Sequence, residues 1–429
     1  MTLKTVITGT GRYVPPRVVT NDDLSQWMET SDEWIRQRTG IEKRHWVDED
    51  APVGPSDLGL EASQIALNRA GWSPADIDLI IFATLSPDIF FPGPGCLLQH
   101  KLGLSATPAL DIRQQCTGFI YGLATADAYI RSGMATKILL VGAEVHSTGL
   151  DISTEGRDVS VIFGDGAAAV CLEAVDSDQD VGVLASVLHA KGSMAESLKT
   201  EAPASREWPR LTAKMMEERR HFPHMDGKAI FKEAVRRLPE VTKEALDQAG
   251  LTTEDIDLYI PHQANMRINQ FYQQMMKLPE EKVFHNIQRY GNTTAATIPL
   301  ALDEALTRLQ DNPEAFMGSL QKEVYAVGED GARSEDLDSQ ISRINALPPE
   351  ERRRAIQARR PIIPTMTIRA ETSRRLPKKA SSKRSTSICH QPAPAPAVGM
   401  ARKTKIIAAM PMISRRLPGS RPVRTWRMR

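Results

Sequence analysis

One stretch of this chain occurs twice, and that repeat limits the fold more than any other feature. Ala66-Leu67-x-x-Ala70-Gly71 followed by Asp76-Ile77-Asp78-Leu79-x-Ile81 returns as Ala245-Leu246-x-x-Ala249-Gly250 followed by Asp255-Ile256-Asp257-Leu258-x-Ile260. Both parts are displaced by the same 179 residues. In each copy an amphipathic helix stops at a glycine suited to a left-handed C-cap, a short loop follows, and an apolar run reads as a buried strand. A constant offset across helix, turn and strand predicts a duplicated α/β unit.

Each half continues with a second pattern. Strand-like Pro108–Ile112 breaks at Arg113-Gln-Gln and gives way to a helix from Cys116. In the second half Val283–Ile287 leads through Arg289-Tyr-Gly to a helix opening near Asn292, so Cys116 and Asn292 are predicted at matching helix starts. Two more strands are expected in the first half, Lys137–Ala143 and Val159–Leu172, the latter interrupted by Gly164-Asp-Gly166.

After Arg308 the composition changes abruptly. Residues 351–429 hold 21 Lys+Arg against 2 Asp+Glu, whereas residues 1–350 hold 33 against 51. The segment after Ile344 is charged, Pro-rich and repetitive, with Ser373–Pro377 recurring as Ser414–Pro418. Too little of it is apolar to offset ordering entropy, so a disordered basic tail is expected. Its charge suits non-specific nucleic-acid contact, but with one Trp and no recognisable fold a solvated tail is the better expectation. The reading therefore divides the chain into 1–175, 176–310 and an atypical 311–429.

No apolar run reaches the roughly 18–20 residues needed to cross a bilayer, so no membrane association is expected. The start, Met1–Thr8, reads straight into a strand without a signal-peptide pattern. Cys96, Cys116, Cys171 and Cys389 are too few and too scattered for a disulfide framework or a zinc ribbon. A reduced, cytoplasmic setting follows as the expectation.

Cys116 is the sharpest chemical candidate. A thiol at the first turn of a helix faces unpaired N–H groups and the positive end of the macrodipole, which favour thiolate and could hold an oxyanion. A lone cysteine is more often a small buried hydrophobe. His262 shifts that balance, because it follows the second copy of the repeated strand, where open α/β sheets carry their sites. Asn292 alone would read as an N-cap. Together the three residues, drawn from two related halves, point to one site. Trp34, Arg38 and Arg157 could form an aromatic-and-cation clamp for a nucleotide. Gly9-Thr-Gly11 lacks the third glycine of a dinucleotide loop and runs into Pro15-Pro16. His221-x-x-His224 has no supporting ligands, so no metal is expected.

The stretches Ser31-Asp-Glu-Trp34-Ile…Arg38-Thr-Gly-Ile41, Gln115-Cys116-Thr-Gly-Phe119, Phe163-Gly-Asp-Gly-Ala167, Pro261-His262-Gln-Ala-Asn265-x-Arg267 and Gly291-Asn292-Thr-Thr-Ala-Ala-Thr-Ile-Pro299 resemble, in order, the β-ketoacyl-acyl-carrier-protein synthase III enzymes of the thiolase superfamily. The resemblance runs from Met1 to about Arg308. It implies a five-layered αβαβα fold, a homodimer, and the condensation of an acyl-CoA primer with malonyl-acyl-carrier protein that starts fatty-acid synthesis. CoA is then a substrate, and no cofactor is implied. By the same resemblance Cys116 is the acylated nucleophile, and His262 and Asn292 assist decarboxylation and condensation. Trp34 and Arg157 would flank the CoA adenine, with Arg38 near its phosphates. Phe91 would close the base of the acyl pocket, and Gln263 and Arg267 would lie where the carrier protein docks. The family's final strand and glycine-rich hairpin are not recognisable after Arg308, so the second half is expected to be incomplete. Related thiolase-fold condensing enzymes, and a remnant that only binds CoA or carrier protein, are the alternative readings.

Overall fold

The computed structural model describes residues 2–311 and the backbone of 406–409. The duplicated segment folds the same way twice. Helix α2 (Pro55–Ala70) and helix α4 (Gly227–Ala249) each end on a left-handed glycine, Gly71 at φ 69° and Gly250 at φ 66°. A capped 3₁₀ turn follows each, Pro74–Asp76 and Thr253–Asp255, closed in both cases by the aspartate at its third position. Strands β2 (Leu79–Ala83) and β6 (Leu258–Pro261) come next, buried along their whole length.

The first half builds a five-stranded sheet in the order β1-β5-β4-β2-β3, where β1 is Leu3–Tyr13, β3 is Ala109–Ile112, β4 is Lys137–Glu144 and β5 is Gly166–Asp176. β2 runs parallel to both β3 and β4, whereas β5 is antiparallel to β4 and β1. α2 covers one face, closing a cluster of Leu58, Ala62, Ala66, Phe82, Leu139 and Val141. The contact is close enough to require glycine on β1. A Cβ at Gly9 or Gly11 would stand 2.3 Å from a carbonyl oxygen of α2, that of Ala66 or Ala62. The Gly-x-Gly pattern is thus a helix-to-strand packing device.

The opposite face carries α3 (Gly118–Arg131) and α6 (Thr297–Asp311). Their apolar residues Phe119, Ile130, Ile298 and Leu302 share one cluster with Ile81 and Leu140 of the first sheet and with Leu258 and Ile260 of β6. Beyond β6, α4 and α5 (Met266–Met276) pack over Tyr259 through Leu238, Val241, Ile268 and Tyr272. Helix, sheet, helix, sheet, helix is the five-layered thiolase-like order, and the two halves share the middle helical layer.

Several expectations need correction. Val159–Leu172 is not one strand: Arg157–Ser160 is a helical turn and β5 begins only at Gly166. Asp165 is the reason, because its buried carboxylate gathers the N–H groups of Val47, His146 and Ser147 and turns the chain. Val283–Ile287 contributes only a single bridge from Val283 to Tyr259, since 3₁₀ and α turns occupy its flanks. Residues 406–409, within the stretch expected to be disordered, form strand β7, parallel to β6 from Leu258 opposite Ile406 to Pro261 opposite Ala409. Pairing with an exposed strand edge needs backbone groups more than a particular composition, which explains why composition did not show it. The remaining expectations for the tail, including the missing hairpin, lie outside the described residues. Among the described residues no helix is long and apolar enough to cross a membrane, and no group of three or more His, Cys, Asp or Glu could hold a metal ion.

Candidate active site

Cys116 lies in the 3₁₀ turn Gln115–Thr117, directly before α3. The matching turn in the second half is Thr294–Ala296, directly before α6. Gln115 and Thr294, again 179 residues apart, both hold positive φ, 45° and 50°. Non-glycine residues avoid that conformation and adopt it where the surroundings over-determine it, often at functional sites. The duplication therefore pairs Gln115 with Thr294 and Cys116 with Ala295. The expected pairing of Cys116 with Asn292 is off by three residues, because Asn292 precedes the second turn.

Thr294 connects Asn292 to His262. Its N–H donates to Asn292 Oδ1 over 2.8 Å, so the Asn292 amide presents its NH₂ as the donor. Its carbonyl accepts from Thr297 Oγ1 at 3.0 Å, and that same oxygen lies 2.6 Å from His262 Nδ1. The Thr294–Ala296 turn packs against the Cys116 turn, where a Cβ at Gly118 would stand 3.2 Å from the Ala295 Cβ. Asn292 is fixed further by its N–H, which donates to the Ile162 carbonyl, and by its own carbonyl, which accepts from Gly164. His262 follows β6 directly. The predicted triad is thus brought together, on turns and strand ends from both halves.

Electrostatics set the resting state. Burial, reinforced by the Glu144 carboxylate, pushes the Cys116 thiol up to about 12, against its own N–H and Thr294, which pull it down. Burial lowers His262 to about 3, so its imidazole is neutral at every working pH. Thr297 has one hydroxyl proton and two acceptors within reach. Pointed at His262 Nδ1 it leaves Nε2–H a donor; pointed at the Thr294 carbonyl it leaves Nε2 an acceptor.

Sequence reasoning missed Glu144, His146, Thr294 and Thr297. Glu144 ends β4, fully buried, and accepts from Thr84, Leu85 and Ser86. Burial raises it to about 7 despite those hydrogen bonds. The signal available was a Glu-Val-His at the end of an apolar strand.

The aromatic-and-cation cluster also assembles, around Trp34 of α1 (Asp32–Thr39). The Arg38 and Arg157 guanidiniums lie 4.2 and 4.7 Å from the Trp34 ring centre. Arg157 also donates to the Glu29 carbonyl over 2.5 Å. Arg267 stands exposed in the first turn of α5, near the Phe231 ring. Gln263 corrects the expectation: it is 1% exposed, its amide donates to the Pro261 and Phe284 carbonyls, and its oxygen accepts from Asn286 N–H. It braces the His262 segment and offers nothing to a docking protein. Phe91 is 78% exposed, edge-on to Phe90 in an apolar run with Ile89.

A thiol before the central helix of one half, with an imidazole and a carboxamide from the other half on a five-layered frame, defines a thiolase-like acyl-condensing enzyme. The family described as "3-Oxoacyl-[acyl-carrier-protein (ACP)] synthase III" matches residues 110–192, and its C-terminal part matches residues 246–319. The chain belongs to the β-ketoacyl-[acyl-carrier-protein] synthase III family. It is 43% identical over 301 residues to the Natranaerobius thermophilus enzyme of that name, covering 70% of this chain and 90% of the relative. The Koribacter versatilis enzyme is 40% identical over 305 residues, covering 70% and 88%. Among solved structures, the Aquifex aeolicus 3-oxoacyl-[acyl-carrier-protein] synthase III superposes with a TM-score of 0.63 at 41% identity, covering 71% of this chain and 91% of the other.

Proposed function

We propose that this chain condenses an acyl-CoA primer with malonyl-acyl-carrier protein, with Cys116 as the acylated nucleophile and His262 and Asn292 as donors to the malonyl thioester oxygen. The observation that supports this reading is the packing of the Cys116 turn against the Thr294–Ala296 turn, to which Asn292 and, by way of Thr297, His262 are hydrogen-bonded.

In the first half-reaction the Cys116 thiolate attacks the acyl-CoA carbonyl. The oxyanion faces the Cys116 N–H and the first turn of α3, the bond to the CoA sulfur breaks, and the CoA thiolate takes up the proton. In the second, the bond from the malonyl carbon to its carboxylate breaks and carbon dioxide leaves. With the Thr297 hydroxyl turned to His262 Nδ1, the enolate oxygen is held by Asn292 Nδ2–H and His262 Nε2–H. The enolate carbon then attacks the Cys116 thioester, and the Cys116 sulfur leaves as thiolate. No step uses a cofactor.

Trp34 and Arg157 receive the CoA adenine when they open to about 7 Å, two contacts of ~3.5 Å, and Arg38 meets the phosphates. Arg267 docks the acidic carrier protein. Phe91 serves the acyl pocket only when its exposed run is covered, which fits a homodimer in which a second copy buries Ile89–Phe91. The setting is the cytoplasm, where CoA and carrier-protein thioesters are made.

Brief incubation with acetyl-CoA followed by intact-protein mass spectrometry and peptide mapping tests this reading. An acetyl adduct on Cys116, discharged by malonyl-acyl-carrier protein and absent in Cys116→Ala, is expected. An adduct that persists with malonyl-acyl-carrier protein would leave a carrier-binding remnant. Rates across acyl-CoA lengths separate a short-chain primer enzyme from a long-chain relative.

A further inference from the structure

Arg44 lies in the short strand Lys43–Trp46, which pairs with Arg17–Thr20, and it is 0% exposed. A cation taken out of water is costly unless fixed groups replace the lost solvent. Here every hydrogen bond it makes among the described residues ends on a neutral oxygen. Nη1 donates to Asn21 Oδ1 over 2.8 Å and to the Val19 carbonyl over 3.3 Å, and Nη2 donates to the Val161 carbonyl over 2.8 Å. Nε has no partner among the described residues. Burial lowers the guanidinium to about 10 while Asp23 and Asp32 attract it through space, so it stays cationic at neutral pH. Such a site gains little stability over a packed apolar side chain. What the guanidinium supplies is the placement of its acceptors.

That placement matters because of what Val161 leads into. The next residues hold the backbone of Asn292. The Asn292 N–H donates to the Ile162 carbonyl over 2.8 Å, and the Gly164 N–H donates to the Asn292 carbonyl over 3.2 Å, which makes a parallel bridge between Phe163 and Asn292. The strand of Arg44 also grips this segment at two further points. Trp46 Nε1–H donates to the Phe163 carbonyl over 3.1 Å, and the Asp165 N–H donates to the His45 carbonyl over 2.8 Å. Arg44 itself stands at the junction. A Cβ added at Gly164 would lie 3.1 Å from the Arg44 Cβ and 2.3 Å from the Tyr290 carbonyl oxygen. One added at Gly291 would lie 3.4 Å from the Arg44 Cβ and 2.9 Å from the Ile162 carbonyl oxygen. The two chain segments therefore meet backbone against backbone over the Arg44 stem, and the segment that Arg44 holds sets where Asn292 sits.

We propose that Arg44 is a positioning residue for Asn292: by bridging Val19, Asn21 and Val161 it fixes the Ile162–Gly164 segment, and through it the carboxamide that holds the malonyl thioester oxygen. The proposal rests on the reading of Asn292 as a donor in the second half-reaction. Cys116 stands on a different support, the turn between β3 and α3, so the two half-reactions should respond differently. Asn21 also donates to Asp32 Oδ1 at the start of α1. Acylation is therefore compared at saturating acetyl-CoA, where a change in CoA affinity does not enter.

Arg44→Lys keeps the cation and loses the fork, because one ammonium cannot bridge the same acceptors. In single-turnover measurements, transfer from acetyl-Cys116 to saturating malonyl-acyl-carrier protein is expected to slow about tenfold, while acetylation of Cys116 changes less than about twofold. Hydrogen exchange gives a second readout that needs no substrate. The amides of Asn292 and Gly164 should exchange about tenfold faster, while those of β2 and β4 keep their wild-type rates. Trp46→Phe retains a ring and deletes the donor to Phe163. It should show the same pattern more weakly, and it takes the place of Arg44→Lys if that variant does not fold. Equal losses in both half-reactions, unchanged transfer, or exchange that rises everywhere or nowhere would overturn the proposal. Wild-type protein that is never acetylated, or that keeps its acetyl group with malonyl-acyl-carrier protein, would instead sink the proposed function. The exchange result alone would then uphold or overturn the hold of Arg44 on Asn292.

Discussion

His262 Nδ1 lies 2.6 Å from Thr297 Oγ1, and that hydroxyl also reaches the Thr294 carbonyl. The orientation of one hydroxyl thereby decides which His262 nitrogen carries hydrogen. Thr297→Val keeps the shape and removes the hydroxyl. Losing one hydrogen bond that orients a catalytic group costs about 1–2 kcal/mol, so condensation with malonyl-acyl-carrier protein should slow roughly 5- to 30-fold. Cys116 acylation should change less, and Thr297→Ser should recover most of the loss. Single-turnover kinetics of the two half-reactions check this, and equal losses in both would show that Thr297 does not act through His262.

Glu144 should oppose ionisation of Cys116. Its carboxylate raises the Cys116 thiol, so Glu144→Gln is expected to speed Cys116 alkylation about tenfold at pH 8, one pKa unit's worth. The gain should fade toward pH 6, because Glu144, raised to about 7, is itself protonated there. Rates measured at both pH values would decide it. A uniform gain would mean that Glu144 affects access to the thiol instead of its charge.

Stability should fall on acidification earlier than carboxylates alone would cause. His146, His262 and His285 are lowered by burial to about 3, 3 and 4. The unfolded chain binds their protons near 6.5 and the folded one does not, so their contribution is present at pH 7 and is lost as pH falls. Glu144 and Asp165, raised by burial, pull the other way over part of that range. A net uptake of one to two protons on unfolding gives a slope of about 1–3 kcal/mol per pH unit between pH 6.5 and 5. Urea unfolding across that window measures it, and a flat profile would contradict it.

Asp303 of α6 is 1% exposed and receives Thr10 Oγ1 at 2.7 Å together with the guanidiniums of Arg12 and Arg69. It fastens the helix that follows the Asn292 turn to β1 and α2 of the other half. Asp303→Ala leaves two cations against a buried site, and about 3 kcal/mol of stability should be lost. The urea midpoint reads this directly, and a change under 1 kcal/mol would mean the ion pairs are solvated.

The sequence by itself determined the duplication, because helix caps, turns and apolar strands are local features that residue types specify. It also pointed to Cys116, His262 and Asn292 as one candidate site, since each was read at a strand end or a helix start. Gly9 and Gly11 could be dismissed as a nucleotide loop from spacing alone, but their purpose, admitting the α2 backbone to β1, needed the packing. Tertiary structure alone decided the network inside the site. Thr294, Thr297 and Glu144 are ordinary residues in the linear chain, and they acquire a role only because hydrogen-bond direction and burial depend on neighbours up to about 150 positions away. The same reason moved Gln263 from the surface to the interior, for exposure is a property of the packed layers and not of the residue.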